Sequence, residues 1–285
     1  MSRAELCRTL AAVAAAPGPA TAAHAASLDL GRRPTAAEHT ELFVFELHPY
    51  ASVHLGAEGK LGGVARDRVA GFLRVLEATP PPEPDHLVVL LDAYAQLIEL
   101  DEAGAGPRAR HARTVLLHEH LGSWVPRLTH RVGELGAAPY RRWAHLLDQL
   151  LAAETATVGQ PPTLSAHLRE APDLHGLTDD GRAAFVDGLL APVRSGLVLA
   201  RADLARAARD LDLGLRIGER AYALTAMLEQ DAHATLAWLA AEARRQAHPW
   251  RDGHEPTGRF WSDRLTATAA LLDGLVAAHG APVAG

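Results

Sequence analysis

Apolar residues in this chain recur at the spacing of a helix and almost nowhere at the spacing of a strand, and that periodicity is the strongest constraint on what it can fold into. Leu87, Leu91, Tyr94 and Ile98 fall three or four residues apart, and Val88, Leu90 and Leu97 widen the same stripe. Alternating runs of β-branched residues are nearly absent, Ala and Leu abound, and aromatic residues make up only 5% of the chain. The pattern predicts an all-α protein, a helical bundle with a C-terminal helical extension.

Proline and glycine punctuate that pattern. After an Ala/Pro/Gly-rich start, residues 1–34, expected to be flexible, a helix is predicted from about Thr35 to Leu47, stopped at His48-Pro49 because proline cannot donate to the preceding turn. Val64 to Leu76 reads as a second helix. Thr79-Pro80-Pro81-Pro82-Glu83-Pro84 is a stiff extended connection, after which Asp85 is placed to cap the next helix. Two more helices are predicted, Ala109 to Leu121 and Pro139 to Glu154, separated by a break at Trp124-Val125-Pro126 and by Gly133 and Gly136. These define a helical domain over 35–158, a linker over 159–180 rich in Pro, Gly, Thr and Asp, and an extension over 181–285. Helices there are predicted at about Gly181 to Leu190, Arg201 to Leu211, Glu219 to Arg245 and Thr257 to His279.

Charge and residue inventory remove several function classes. A formal net charge of −6 gives no electrostatic support for general nucleic-acid binding. A single cysteine, Cys7, rules out an intrachain disulfide and a cysteine-based zinc site, and fits a reducing compartment. Residues Met1 to Ala26 loosely imitate a secretion signal, but the apolar run from Leu10 to Ala16 is short and Glu5 and Arg8 sit beside it, so a cytoplasmic location is expected. Sixteen histidines invite a metal site. Yet His118 and His120, two apart on a predicted helix, point away from each other, and no His-Glu-x-x-His pattern is present. Nor is there a Gly-x-Ser-x-Gly elbow, a phosphate loop or a dinucleotide fingerprint, so neither a metal nor a cofactor is expected and the chain reads as a non-enzyme.

Three short stretches carry the functional signal. They are His48-Pro49-Tyr50-Ala51-Ser52-Val53-His54-Leu55-Gly56, running on to Leu61-Gly62-Gly63; Glu83-Pro84-Asp85-His86; and Leu116-Leu117-His118-Glu119-His120-Leu121-Gly122-Ser123-Trp124-Val125-Pro126. Together, and in this order, they resemble the landmarks of the TorD/DmsD/NarJ family of cytoplasmic chaperones, which help mature molybdenum-containing oxidoreductases before export. One departure is visible: the family places a residue between the proline and the Asp-His pair, whereas Pro84 abuts Asp85 here. Asp85 and His86 are carried over from the resemblance; Glu83 is not.

The resemblance implies a binding protein whose partners are a molybdoenzyme precursor subunit and its twin-arginine signal peptide. Such a signal combines two arginines with an apolar helix-forming segment, so its receptor needs carboxylates beside apolar surface. From Val75 to Pro107 the chain carries Glu77, Glu83, Asp85, Asp92, Glu99, Asp101 and Glu102 and no Lys or Arg. The expected peptide-binding residues are Tyr50, Ser52, Asp85, His86, Asp92 and Glu99. Each has a plainer reading as well: Asp85 as a helix cap, Ser52 as a turn residue, Tyr50 as a half-buried ring, the acids as a solvated helix face. A different function is suggested by Arg201 to Leu228, where Arg201, Arg206, Arg209, Arg216 and Arg220 lie on a faint helix-turn-helix pattern that would contact DNA phosphates, although the connection from Asp212 to Gly218 exceeds the usual turn.

Overall fold

A computed structural model describes residues 1–161, 163–175, 180–250 and 255–280; parts of the expected linker and of the extension lie outside these. The described residues form helices and no strand. They group into two compact units, one made of Met1–Gly56 with Leu61–Arg169, the other of Ala57–Lys60 with the residues from Glu170 onward. The division falls between Arg169 and Glu170, within the segment 159–180.

The first unit begins where the sequence predicts flexibility. Instead, Arg3–Ala14 is a helix (α1), started by a capping box in which the Ser2 hydroxyl accepts from Glu5 N at 3.2 Å and the Glu5 carboxylate accepts from Ser2 N at 2.6 Å. Cys7, Leu10 and Val13 are fully buried. Each fully buried Leu or Val contributes about 1.5–3 kcal/mol, enough to hold an Ala-rich segment that has little periodicity of its own. Thr21–Ser27 (α2) follows, so residues 1–34 belong to the folded unit.

Ala36–His39 (α3) runs into a π-type segment, Thr40–Glu46, which ends before His48-Pro49 as predicted. Then come Ala51–Leu55 (α4), Gly63–Val75 (α5), Leu87–Glu102 (α6), Pro107–Val115 (α7) continuing as a π-type segment Leu116–Leu121, Val125–Leu135 (α8), Ala138–Val158 (α9) and Ala166–Arg169 (α10). The break predicted at Trp124-Val125-Pro126 is present, the preceding segment ending at Leu121 and Trp124 leaving the helical region, but α8, a helix absent from the sequence reading, starts directly behind it; Pro126 lies in its first turn, where a missing N–H costs nothing. Helix α1 packs on α6 and on α9, where the Trp143 indole donates to Leu10 O at 2.9 Å; Trp124, Tyr94 and Tyr140 complete the largest buried side chains nearby.

The second unit contains Arg182–Leu190 (α11), Pro192–Ser195 (α12), Arg201–Asp210 (α13), Arg220–Gln230 (α14), Ala232–Ala247 (α15) and Pro256–Gly280 (α16). The single helix predicted over Glu219 to Arg245 is two: Asp231 leaves the helical region and its side chain accepts from Ala234 N at 2.9 Å, capping α15. Leu189, Leu224, Met227, Leu239, Leu265 and Leu272 lie at the centre of this unit's own core. The short loop Ala57–Lys60 is knit into it. Arg194 Nε donates to Ala57 O at 2.7 Å, and Gly59, at φ +60°, approaches so closely that a Cβ would stand 2.7 Å from Ala191 Cα.

Candidate functional site

The first two sequence stretches, more than thirty residues apart, meet in the first unit. His48-Pro49 follows the end of the preceding helix, and Glu83 to His86 form a turn in which His86 N donates to Glu83 O at 3.3 Å, so the two segments meet antiparallel for one pairing, Tyr50 with His86. Ala51 N donates to Asp85 O at 3.0 Å and Leu87 N to Pro49 O at 2.8 Å. Beside this pairing the Tyr50 and His86 rings stand edge to face, centroids 4.6 Å apart. The third stretch joins through His54, whose ring stacks on Trp124 with centroids 4.9 Å apart and whose Nε2 contacts His48 O at 3.1 Å.

Asp85 is the pivot of the arrangement, but not in the role its position suggests. The cap of α6 is His86, whose Nδ1 accepts from Val88 N at 3.1 Å. Asp85 turns the other way and its carboxylate accepts from Ser52 N at 2.9 Å, satisfying the exposed start of α4, for which the N-cap residue Tyr50 supplies no side-chain bond. Ser52 in turn accepts from Gly62 N at 3.2 Å, tying the Leu61-Gly62-Gly63 turn to the same point. Helix α4 is thus capped from a distant segment. Glu83, which the resemblance left aside, accepts from the Tyr50 hydroxyl at 2.9 Å.

Protonation follows from these bonds. Nδ1 of His86 can accept only when unprotonated, which places the ring proton on Nε2 in the neutral form. Burial lowers the His86 pKa, against the opposing pull of Glu83 and Asp85. The Tyr50 hydroxyl is pushed up to about 12 by burial and by its bond to Glu83, so it remains a donor.

Exposure separates the expected binding residues. Ser52 and Asp85 are buried, at 0% and 2% exposure, and a ligand reaches neither. Tyr50 and His86 are half-buried and Glu83 is exposed. Asp92 and Glu99 are exposed on α6, but they face Arg8 of α1: its two terminal nitrogens hold Glu99 at 2.5 and 2.7 Å, and its Nε lies 3.7 Å from Asp92. The hydrogen bond from Arg8 keeps the Glu99 carboxyl below its ordinary range. The remaining acids are engaged too. Glu102 pairs with Arg3 at 2.7 Å, Asp101 with Arg113 at 2.9 Å, and Glu77 lies 3.5 Å from Arg108. Five of the seven acids are therefore paired with arginines, while Glu83 and Asp85 accept from the Tyr50 hydroxyl and from Ser52 N. The signal that would have revealed this is the Ser2-x-x-Glu5 box, which announces α1 and with it Arg3 and Arg8.

Histidine and cysteine chemistry is structural by comparison. His118 Nε2 contacts Gly159 O at 3.0 Å, while His120 is buried against the rings of Phe72 and His167. Burial and the neighbouring His167 press the His120 pKa down to about 3. Burial drives the Cys7 thiol up to about 12. Among the described residues no three His, Cys, Asp or Glu side chains gather as a metal site. In the second unit, Arg206 pairs with Asp203 and Glu242, Arg216 donates to the Tyr222 hydroxyl at 2.8 Å, and Arg220 donates to Leu199 O at 2.6 Å. With nine residues between α13 and α14, the geometry lends nothing to a helix-turn-helix reader.

Residues 3–130 match a protein-family model described as the nitrate reductase delta subunit, a match that opens with α1 and extends into α8, spanning all three stretches. Searches of curated proteins and of solved structures find no significant match.

Proposed function

Since residues 3–130 belong to the nitrate reductase delta subunit family, a family of NarJ/TorD-type chaperones of molybdoenzyme maturation, we propose that this chain holds the twin-arginine signal peptide, the apo form, or both, of a molybdenum-cofactor oxidoreductase subunit until the cofactor is loaded. The carrying observation is that the three sequence stretches, scattered over about eighty residues, converge on one point of the matched region. The action is sequestration in the cytoplasm, without a chemical step. Burying an apolar segment releases about 25 cal/mol per Å² of apolar area, and charged side chains set its orientation. No helix among the described residues is long and apolar enough to cross a membrane.

In this reading the surface offered to the client is Tyr50, His86 and Glu83 with the adjoining Val44 and Phe45, which are 48% and 46% exposed. Ser52 and Asp85 act behind it as positioning residues. The test is titration of a fluorescent twin-arginine peptide against the full chain. Saturable binding, weakened when the arginine pair is replaced by two lysines and when His86→Ala is introduced, supports the reading. Equal binding of both peptides, or none, overturns it.

A further inference from the structure

The joint between Tyr50 and His86 is complete only while His86 is neutral. Its Nδ1 accepts from Val88 N at 3.1 Å and caps α6, a role open to an unprotonated nitrogen alone. Backbone bonds fix the place of the ring: His86 N donates to Glu83 O at 3.3 Å, Val89 N and Leu90 N donate to His86 O at 2.9 and 3.1 Å, and Leu87 N donates to Pro49 O at 2.8 Å. The same imidazole stands edge to face against Tyr50, the N-cap residue of α4, whose hydroxyl donates to Glu83 at 2.9 Å. One side chain thus ties the start of α6 to the start of α4 beside an exposed carboxylate.

Among the described residues, titratable groups reach this ring from three sides. Glu83 and Asp85, in the turn before α6, favour a charge on it; His39 of α3 opposes one; the Tyr50 hydroxyl, pushed up to about 12, carries none. Burial outweighs the two carboxylates, so His86 gives up its proton more readily than a free histidine. Both carboxylates are already engaged, Asp85 with Ser52 N and Glu83 with the Tyr50 hydroxyl. A proton arriving at Nδ1 removes the acceptor of Val88 N and leaves a cation beside Glu83. That carboxylate then stands between its own imidazolium and any arginine approaching from outside.

We propose that His86 is the proton-reading residue of the client surface: the chain holds its client while the ring is neutral and lets it go when Nδ1 takes up a proton. The assignment rests on the twin-arginine reading and supplies the regulation of that site. A client bringing two arginines is opposed by a further cation, and loss of the α6 cap loosens the turn that presents Glu83. Binding and protonation are linked, so a client that prefers the neutral ring lowers the proton affinity of His86 by the same factor. His39, with Nε2 3.2 Å from Ala14 O and its ring against Phe43 and Tyr140, acts on the midpoint alone.

The test titrates an acetylated fluorescent twin-arginine peptide, free of acids and histidine, against the full chain from about pH 7.5 to about pH 5, with affinity referred to the folded fraction read from the far-UV spectrum. Wild-type affinity is expected to fall at least roughly fivefold over that range, with a midpoint below about 6.5. His86→Asn keeps a side-chain oxygen for Val88 N and has no proton to take up. It is expected to bind less tightly than wild type at neutral pH and to change by less than about twofold on acidification. His39→Gln keeps the fall and moves its midpoint upward. The His86 ring resonance, identified by its absence from the Asn variant, gives an independent readout: saturating peptide is expected to lower its pKa by at least about 0.7, the fivefold change in linked form. A flat wild-type profile, an equal fall in His86→Asn, or a ring pKa unmoved by peptide overturns the proposal. If the peptide still binds at neutral pH, those outcomes leave the twin-arginine reading standing; absence of binding at every pH overturns both.

Discussion

At the scale of single residues, Asp85 shows how a binding motif and a structural joint differ. Its carboxylate is buried and serves Ser52 N, so Asp85→Ala leaves a buried donor unsatisfied and is expected to lower stability by about 1–3 kcal/mol, visible as a shifted urea midpoint. His86→Ala loses an N-cap bond, worth about 1 kcal/mol, and the edge-to-face contact with Tyr50, worth about 0.5–1.5 kcal/mol, and is expected to affect peptide affinity more than the midpoint. His120 sets a pH dependence. Its folded pKa is depressed to about 3 from an ordinary 6.5, so the stability it contributes is full above the unfolded value and is lost as pH falls from about 6.5 toward 3. One proton taken up on unfolding in that window gives a slope of about 1.4 kcal/mol per pH unit, and urea titrations at successive pH values should find a correspondingly shallower slope in His120→Leu. Asp85 and His86 were legible in the sequence as a pair of interest. Their division of labour was not, because adjacent residues at a helix start point in different directions and only the fold says what each one meets.

Among elements, the helices in the middle of the first unit were readable because their apolar stripes are long and their ends carry prolines and glycines. Three features escaped, each for a local reason. Helix α1 is Ala-rich and weakly periodic, and is held by burial of Leu10 and Val13; Leu10→Ala is expected to cost about 2–5 kcal/mol in the same urea measurement. Helix α8 begins with a proline that resembles a stop. The cap at Asp231 divides an otherwise continuous helical pattern. Because α1 brings Arg8 against Asp92 and Glu99, it also decides how the acidic face behaves. The Arg8 pairs are exposed, so Arg8→Ala should leave the urea midpoint nearly unchanged. If Asp92 and Glu99 receive client arginines, that same substitution should tighten twin-arginine peptide binding and an Asp92→Asn, Glu99→Gln double variant should weaken it. Unchanged affinity in both would confine those acids to holding α1.

For the whole molecule, the two units carry different kinds of information. The first is matched by the family over residues 3–130 of a unit that runs to Arg169 and holds all three sequence landmarks, whereas the second has its own core and no motif by which a function could be read. In the loop Ala57–Lys60, Gly59 lies where only a residue without a side chain fits. Gly59→Ala would force a Cβ onto the backbone of Leu190 and Ala191 and is expected to destabilise the second unit by about 1–3 kcal/mol, with faster amide exchange over 187–194.

That loop also bears on the order in which the chain is made. Its four residues leave the ribosome early, but Leu190, Ala191 and Arg194, against which they settle, are translated more than a hundred residues later. Until then the loop Ala57–Lys60 lacks the residues it packs against, so this part of the second unit is completed only after Arg194 has been made.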